Sequence, residues 1–157
     1  MSGFDYGFWE IAIEKHGRIK LPTALLKSLP EAERQRFWVT HGFGNHIMLW
    51  TESAYRAKMN FFNSLDRNII TNKRLRNAFL RDMAFVECDV QDRFVIPKAL
   101  MEYYKIGKEV ILVLDNGQIE IWNAEEYRAK YDMSPEEFEL LNEQIHSAHQ
   151  LNAFENS

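Results

Sequence analysis

A nine-residue stretch that occurs twice constrains the fold of this chain more than any other feature. The first copy covers residues 14–22 and the second covers residues 89–97, an offset of 75 (89 minus 14). Both copies have the form acid-x-x-x-Arg-apolar-x-apolar-Pro, and the proline of each copy opens an apolar segment that predicts a short helix. The chain therefore contains an internal repeat.

A second pair of matching blocks tests the register of this repeat. Residues 50–58 and 122–130 both begin with tryptophan and end in Tyr-Arg-Ala-Lys, and their offset of 72 (122 minus 50) leaves three residues of loop unmatched. The twinned Trp50 and Trp122 fit packing in a core or between subunits. Two matched blocks in the same order predict a tandem duplication, whose halves form a pseudo-two-fold unit around a shared core.

Each half has the pattern of a β-hairpin, a short helix, a second β-hairpin and a helix. Alternating apolar residues from Phe4 onward predict the first strand, and another strand follows each repeated turn. Gly17 suits a positive φ in the first turn, and Asp92 takes its place in the second. Asn116 and Gly117 are typical of a tight hairpin turn. The arginine of each copy is therefore expected at the exit of a hairpin turn.

Capping residues predict where three helices begin. Thr51 and Asn123 are the predicted N-caps of equivalent helices in the two halves. Ser134, with Glu137 at the capping-box position, predicts a further helix outside the repeat.

An amphipathic helix is predicted between the halves, because Leu75, Phe79 and Met83 recur at four-residue spacing. The predicted organisation is a first repeat at residues 4–70, a linking basic helix at 71–83, a second repeat at 84–131 and an acidic helical tail at 132–157. The fold class is therefore α+β.

The net charge of −4 is unevenly distributed along the chain. Residues 132–157 contain six acids and no Lys or Arg, so the remaining 131 residues carry +2 (−4 minus −6). Five cations and no acid lie between positions 67 and 81. These are Arg67, Lys73, Arg74, Arg76 and Arg81. A charge run is more often a solvated face than a binding site, yet overall acidity does not exclude a nucleic-acid partner.

Missing patterns argue against several classes of function. No long apolar run and no secretory leader is found, which predicts a cytosolic protein without a membrane span. Cys88, the single cysteine, is interpreted as a small core residue rather than a reactive thiol. His146 and His149 lack the further ligands of a metal site. No motif of a nucleophile elbow, P-loop, metalloprotease or dinucleotide site occurs, which predicts a protein without enzyme activity, cofactor or small-molecule substrate.

The doubled acid-x-x-x-Arg stretch, with a proline-started helix and a tryptophan-ended strand after each copy, resembles the MraZ family of bacterial transcriptional regulators over roughly residues 4–130. The resemblance implies two tandem AbrB-like swapped-hairpin repeats that interleave into a small pseudo-two-fold β-barrel with flanking helices, plus a C-terminal helix. It implies a ring-shaped homo-oligomer that binds G-rich direct repeats in double-stranded promoter DNA of the division and cell-wall gene cluster. The expected location is the cytoplasm, in association with the nucleoid.

The same resemblance implies the site residues. Arg18 and Arg93 would face DNA, with Glu14 and Asp89 as their acidic partners, although the family has Asp at the position of Glu14. A guanidinium group can donate two hydrogen bonds to O6 and N7 of guanine, the commonest specific contact in the major groove. The alternative interpretation is that each arginine pairs with the acid four residues earlier and only clips its own hairpin.

Lys15, His16 and Lys20 flank the first arginine and are predicted phosphate contacts, which set affinity without reading sequence. The second copy has fewer cations, so one copy would bind weakly and a ring would gain avidity on repeated boxes. Two rival interpretations remain. In the first, the chain is a protein-interaction module whose acid–arginine pairs are structural. In the second, it is an antitoxin-like member of the same fold whose acidic tail wraps a toxin.

Overall fold

A computed structural model describes residues 6–156 of the chain. The chain divides into two compact units, with the boundary between Glu126 and Tyr127. Phe4, which the sequence pattern assigns to the first strand, lies outside the described residues, and that strand begins at Tyr6. None of the described helices has the length and apolar character needed to cross a lipid bilayer.

Helices and strands are mixed throughout residues 6–126. The strands are β1 (Tyr6–Ala12), β2 (Arg18–Lys20), β3 (Arg36–His41), β4 (Ile47–Trp50), β5 (Ala84–Glu87), β6 (Arg93–Val95), β7 (Glu109–Asp115) and β8 (Gln118–Asn123). The helices are α1 (Thr23–Lys27), α2 (Glu52–Ser64), α3 (Ile70–Leu80), α4 (Lys98–Tyr103), α5 (Ala124–Tyr131) and α6 (Pro135–Glu155), and 3₁₀ turns lie at Lys15–Gly17 and Glu31–Glu33. The protein is therefore of the α+β class.

Two antiparallel sheets organise the first unit. Six strands pair in the order β1-β7-β8-β4-β3-β5, and β2 pairs with β6 in a separate two-stranded sheet. By position in the repeat, β1 corresponds to β5, β2 to β6, β3 to β7 and β4 to β8. If each strand of the large sheet is replaced by its equivalent, the same order results, read from the opposite edge. The duplication in the sequence is therefore matched by a pseudo-two-fold symmetry of strand pairing.

The local hairpins predicted at the two repeated stretches are wrong, because the strands on either side of each turn do not pair with each other. β1 pairs along its whole length with β7, from Tyr6 opposite Asp115 to Ala12 opposite Glu109. In the equivalent way β5 pairs with β3. The strands that follow the repeated turns are three residues long and bury one side chain each. Because β1 and β5 pair with distant strands, β2 and β6 pair with each other.

The two later hairpins are confirmed. β3 pairs with β4 and β7 pairs with β8, both antiparallel. Asn116 and Gly117 connect β7 to β8 with φ values of 50° and 79°. Positive φ at both central residues is typical of the type I′ turn, whose twist matches that of the flanking strands.

The small closed β-barrel is not formed by residues 6–156. The six-stranded sheet ends at β1 and β5, which pair neither with each other nor with the two-stranded sheet. After β1 and β5 the chain turns sharply, and the backbone groups of β2 and β6 satisfy one another instead of extending the large sheet. The large sheet is therefore open at both edges.

Both halves contribute to the main hydrophobic core. The equivalent buried pairs are Ile19 with Phe94, Leu21 with Ile96, and Leu25 with Leu100. Full burial of such a side chain contributes about 1.5–3 kcal/mol, so these pairs hold the two halves together. A smaller cluster, to which α2 and α3 contribute Phe62 and Phe79, includes the predicted core residue Trp50.

The predicted helix starts are confirmed. Oγ1 of Thr51, Oδ1 of Asn123 and Oγ of Ser134 each accept the backbone N–H three residues later, at 3.3, 3.2 and 3.1 Å. Such caps satisfy donors that the helix itself cannot. The linking helix predicted at residues 71–83 is observed as α3, which buries Phe79. In the second unit, α6 extends over 21 residues and none of them is buried.

Candidate nucleic-acid interface

Tight turns carry the two repeated arginines. Gly17 (φ 74°) and Asp92 (φ 63°) occupy the left-handed region, as the sequence predicts, and His16 (φ 64°) joins them in the first turn. A left-handed residue allows the chain to reverse direction within a few residues. Arg18 is consequently the first residue of β2 and Arg93 the first residue of β6.

Backbone hydrogen bonds join one repeated stretch to the other. The N–H of Leu21 donates to the carbonyl of Asp92 at 2.9 Å. The equivalent N–H of Ile96 donates to the carbonyl of Gly17 at 3.0 Å. These two bonds flank the β2–β6 pair, so each arginine stands on a strand that the other half of the chain holds in place.

One face of the β2–β6 pair is apolar and the other is basic. Ile19 and Phe94 lie opposite each other and are buried in the core. Arg18, Lys20 and Arg93 alternate with them along the two strands and therefore lie on the other face. We call this surface the basic face. The pairing of β2 with β6 thus brings both repeated arginines onto one surface.

Arg93 is held by the acid of the other repeated stretch. Its Nε donates to both carboxylate oxygens of Glu14, at 2.8 and 3.1 Å, and its Nη1 donates to Oε1 of Gln91 at 2.8 Å. Arg93 is the less exposed partner of the ion pair, with 22% of its side chain accessible against 42% for Glu14. The acid and the arginine therefore pair across the copies and not within one copy.

Asp89 stabilises its own turn instead of an arginine side chain. Its Oδ1 accepts the backbone N–H of Gln91 at 2.8 Å and of Arg93 at 3.0 Å. The hydrogen bonds from Arg93 and Gln91 hold the pKa of Asp89 below its usual range, and the charges of Arg18 and Arg93 add a smaller effect in the same direction. Asp89 is thus near enough to Arg18 to feel its charge without forming an ion pair with it.

Arg18 and its neighbouring lysines keep their charges unpaired. Arg18, Lys15 and Lys20 are exposed, and none of the three has an ion-pair partner within residues 6–156. Arg93 has its charge offset by Glu14. The two copies of one motif therefore differ chemically, because the first presents free cations and the second presents an arginine with a fixed orientation.

The cross-copy contact is the part of the site that sequence reasoning missed. Glu14 and Arg93 are 79 residues apart, and no local spacing rule relates them. The signal that could have found the contact is the duplication itself, since a pseudo-two-fold axis through two equivalent strands places each acid near the arginine of the other copy. Gln91, the second partner of the Arg93 guanidinium, is likewise not identified by the motif.

No metal centre is found in the described part of the chain. Residues 6–156 contain no group of three or more His, Cys, Asp or Glu side chains arranged to hold an ion. His146, one of the two histidines considered as ligands, has its Nδ1 2.8 Å from the carbonyl oxygen of Asn142 on its own helix.

Known proteins match both halves of this chain. Residues 79–151 match the sequence model of a family described as "MraZ protein, putative antitoxin-like". The chain is 33% identical over 138 residues to a transcriptional regulator MraZ of Caldanaerobacter subterraneus subsp. tengcongensis, covering 83% of this chain and 91% of the relative. It is 26% identical over 141 residues to the regulator of the same name from Cytophaga hutchinsonii, covering 90% and 93% of the two chains. Because the chain has a duplicated acid-x-x-x-Arg motif on paired strands and matches MraZ regulators over most of its length, it belongs to the MraZ family.

Proposed function

We propose that this chain is a sequence-specific DNA-binding transcriptional regulator, and that the basic face contacts the duplex. The observation that carries the proposal is the pairing of β2 with β6, because it gathers Arg18, Lys20 and Arg93 on one exposed surface. Relatives that match most of the chain are also named transcriptional regulators. Cations on a rigid strand pair suit both phosphate contacts and guanine recognition.

The residues of the basic face have different roles in this proposal. Arg18 recognises guanine, because its guanidinium is exposed and unpaired. Lys15 and Lys20 contact phosphates on either side. Arg93 is oriented by Glu14 and adds a second contact whose geometry is set before DNA arrives, while Asp89 fixes the turn that leads to Arg93. No cofactor and no catalytic step is involved.

The finer architecture is part of the same proposal. The two AbrB-like swapped-hairpin repeats act as one DNA-binding unit, and copies of the chain assemble into a ring that sets the spacing of G-rich direct repeats in the promoter of the division and cell-wall cluster. The open edges of β1 and β5 and the exposed apolar side chains of α6 support self-association. The proposed location is the cytoplasm, at the nucleoid.

Selection of bound duplexes from a random pool, at near-physiological salt, tests the proposal. We expect the wild-type chain to enrich spaced G-rich boxes and the Arg18→Ala variant to lose them. Arg56→Ala is the matched control, because it removes an exposed arginine of α2 that pairs only with Glu52. Enrichment of the same boxes by Arg18→Ala, or of no sequence by the wild type, would overturn the proposal, provided that circular dichroism shows both proteins folded.

A second candidate function is suggested by the description of the matching family as antitoxin-like. In that case α6 binds a small toxin, since it offers exposed apolar side chains beside acids and no Lys or Arg. Co-expression with the product of an adjacent small gene checks this. Rescue of growth by the wild type, and loss of rescue when Phe138 and Ile145 are changed to Lys, is the expected result. Growth arrest that the chain fails to relieve excludes it.

A further inference from the structure

A polar cavity lies at the elbow between α2 and α3, within the first unit. Its volume is about 330 Å³. Phe62 and Leu65 contribute apolar wall. The other lining residues are Asp66, Arg67, Asn68, Asn72, Lys73, Arg76 and Asn77. We call this site the elbow cavity. Three cations and three amide side chains around one small space are an arrangement that favours an anion.

The three cations of the elbow cavity outnumber the one acid that lines it. Arg67, Lys73 and Arg76 have no ion-pair partner in the described part of the chain. By contrast, the exposed arginines Arg36 and Arg56 pair with Glu87 and Glu52, at 3.2 and 2.7 Å. Cations that share a cavity repel one another unless an anion lies between them.

The single carboxylate of the elbow cavity, that of Asp66, accepts a hydrogen bond from the backbone. Oδ1 of Asp66 accepts the N–H of Asn68 at 2.9 Å, and the carbonyl of Asp66 accepts Nδ2 of Asn72 at 3.1 Å. Asp66 therefore stabilises the turn into α3 and does not pair with a cation. The sum over the lining side chains is +2 (three cations minus one acid).

Arg76 carries an independent indication of a ligand. Its Nε is buried and has no hydrogen-bond acceptor, and it is the one side-chain atom of residues 6–156 in that condition. Most buried donors in proteins have an acceptor, so an orphaned one calls for an explanation, and a bound ion is one such explanation. Since Arg76 also lines the elbow cavity, an anion there is the natural partner of its guanidinium.

The start of α3 adds to the positive potential. Ile69 occupies the N-cap and offers no side-chain acceptor, so the first N–H groups of α3 lack the usual cap. Asn72 and Lys73, in the first turn, line the elbow cavity. The positive end of a helix dipole therefore acts together with the three cations.

We propose that the elbow cavity binds a phosphate group, held by Arg67, Lys73 and Arg76. A tetrahedral oxyanion with several acceptor oxygens matches guanidinium and ammonium donors that converge from different directions. The group comes either from a free phosphate compound or from the DNA backbone. The second source rests on the proposed function and deepens it, because it gives the duplex a contact that carries no sequence information.

Titration calorimetry with inorganic phosphate, at constant ionic strength, tests the first source. The variants are Arg67→Gln with Lys73→Gln, and Arg76→Lys as a separate protein. Arg74→Gln is the control, since it removes one positive charge from α3, next to Lys73, at a residue that does not line the elbow cavity. We expect the wild type and Arg74→Gln to bind equally and the cavity variants at least tenfold more weakly. If Arg74→Gln lowered the phosphate affinity as much as the cavity variants do, the binding would reflect general charge attraction, and the proposed site would be wrong.

The salt dependence of DNA binding tests the second source. Loss of one phosphate contact lowers the slope of log K against log salt by about 1. We expect Arg67→Gln with Lys73→Gln to show that smaller slope while it keeps the sequence preference of the wild type. Arg18→Ala should lose the preference, so failure of the basic face and failure of the elbow cavity are separate results. If the double variant changes neither phosphate binding nor the salt slope, the elbow cavity is not a phosphate site.

Discussion

Glu14 and Arg93 form a bifurcated hydrogen bond, in which Nε of the arginine lies 2.8 and 3.1 Å from the two carboxylate oxygens. The equivalent pair, Asp89 and Arg18, forms no ion pair in the described chain. The difference has a simple origin, because Glu is one methylene longer than Asp. Glu14 spans the gap to the other strand, whereas Asp89 accepts two N–H groups of its own turn. The arginines of the two copies therefore have different contacts.

We expect the Glu14–Arg93 pair to contribute measurably to stability. A double-mutant cycle of Glu14→Gln and Arg93→Gln should give a coupling energy of about 0.5–1 kcal/mol, the value typical of a partly exposed ion pair with good geometry. Urea unfolding of the four proteins measures it. Arg18→Gln is the control and should change the free energy of unfolding by less than about 0.5 kcal/mol. A coupling energy near zero would mean that the contact is not maintained in solution.

Asp89 should make the stability depend on pH in the acid range. Its folded-state pKa lies below the ordinary value of 3.8 because its carboxylate accepts the N–H groups of Arg93 and Gln91. The ionised form is favoured by folding, so its contribution is complete above pH 3.8 and is lost as the pH falls through the lower folded pKa. The gap in unfolding free energy between wild type and Asp89→Asn should be constant from pH 7 to pH 5 and narrow toward pH 3. An unchanged gap at pH 3 would contradict this.

Gly17 should tolerate substitution less well than Gly117. Both have positive φ, at 74° and 79°, so alanine at either position costs about 1–2 kcal/mol of backbone strain. A Cβ at Gly17 would lie 2.8 Å from Sδ of Met101, whereas a Cβ at Gly117 meets open space. We expect Gly17→Ala to be the more destabilising change by up to about 1 kcal/mol in thermal or urea unfolding. Equal losses would show that Met101 moves aside without cost.

Cys88 should react slowly with thiol reagents. Burial, followed by the charges of Asp92 and Asp89, raises the pKa of its thiol to about 12. Compared with a thiol at the ordinary value of 9.0, this lowers the thiolate fraction at pH 8 by about a thousandfold. Because a more basic thiolate is also more nucleophilic, we expect the reaction rate to fall by about 30- to 60-fold. Stopped-flow reaction with a disulfide reagent, before and after denaturation in guanidinium, measures the ratio. A native rate within tenfold of the denatured rate would show that Cys88 is accessible as the thiolate.

Local chemistry predicted much of the fold. Gly17 and Asp92 were found by their tolerance of positive φ, and Thr51, Asn123 and Ser134 by their capping oxygens, because each property depends on a few neighbouring residues. The strand partners of β1 and β5 were not predicted, since two amphipathic strands carry no local record of which distant strand they join. The repeated pattern suggested a hairpin, and tertiary pairing across the halves overrode that suggestion.

The role of the candidate site residues stays a prediction, and the structure adds the contacts that the sequence did not predict. Arg18, Lys20 and Arg93 were identified from the motif, and the β2–β6 register then brought them to one face. The asymmetry between the arginines depends on the length of Glu14 and on the use of Asp89 by the backbone. Neither follows from residue type, because an acid near an arginine can equally well pair with it or cap a turn.

The pairing of β1 with β7 also governs when the protein can fold during synthesis. Ala12 cannot form its strand pair until Glu109 has been synthesised, 97 residues later (109 minus 12). At a ribosomal rate of about 5–20 residues per second, that interval lasts about 5–20 s. Throughout it, β1 is a nascent strand without its partner, and β2 lacks β6 until residues 93–95 have been made. We therefore expect the duplicated fold to form only after nearly all of residues 6–126 have left the ribosome, with the first repeat dependent on chaperones until the second is complete.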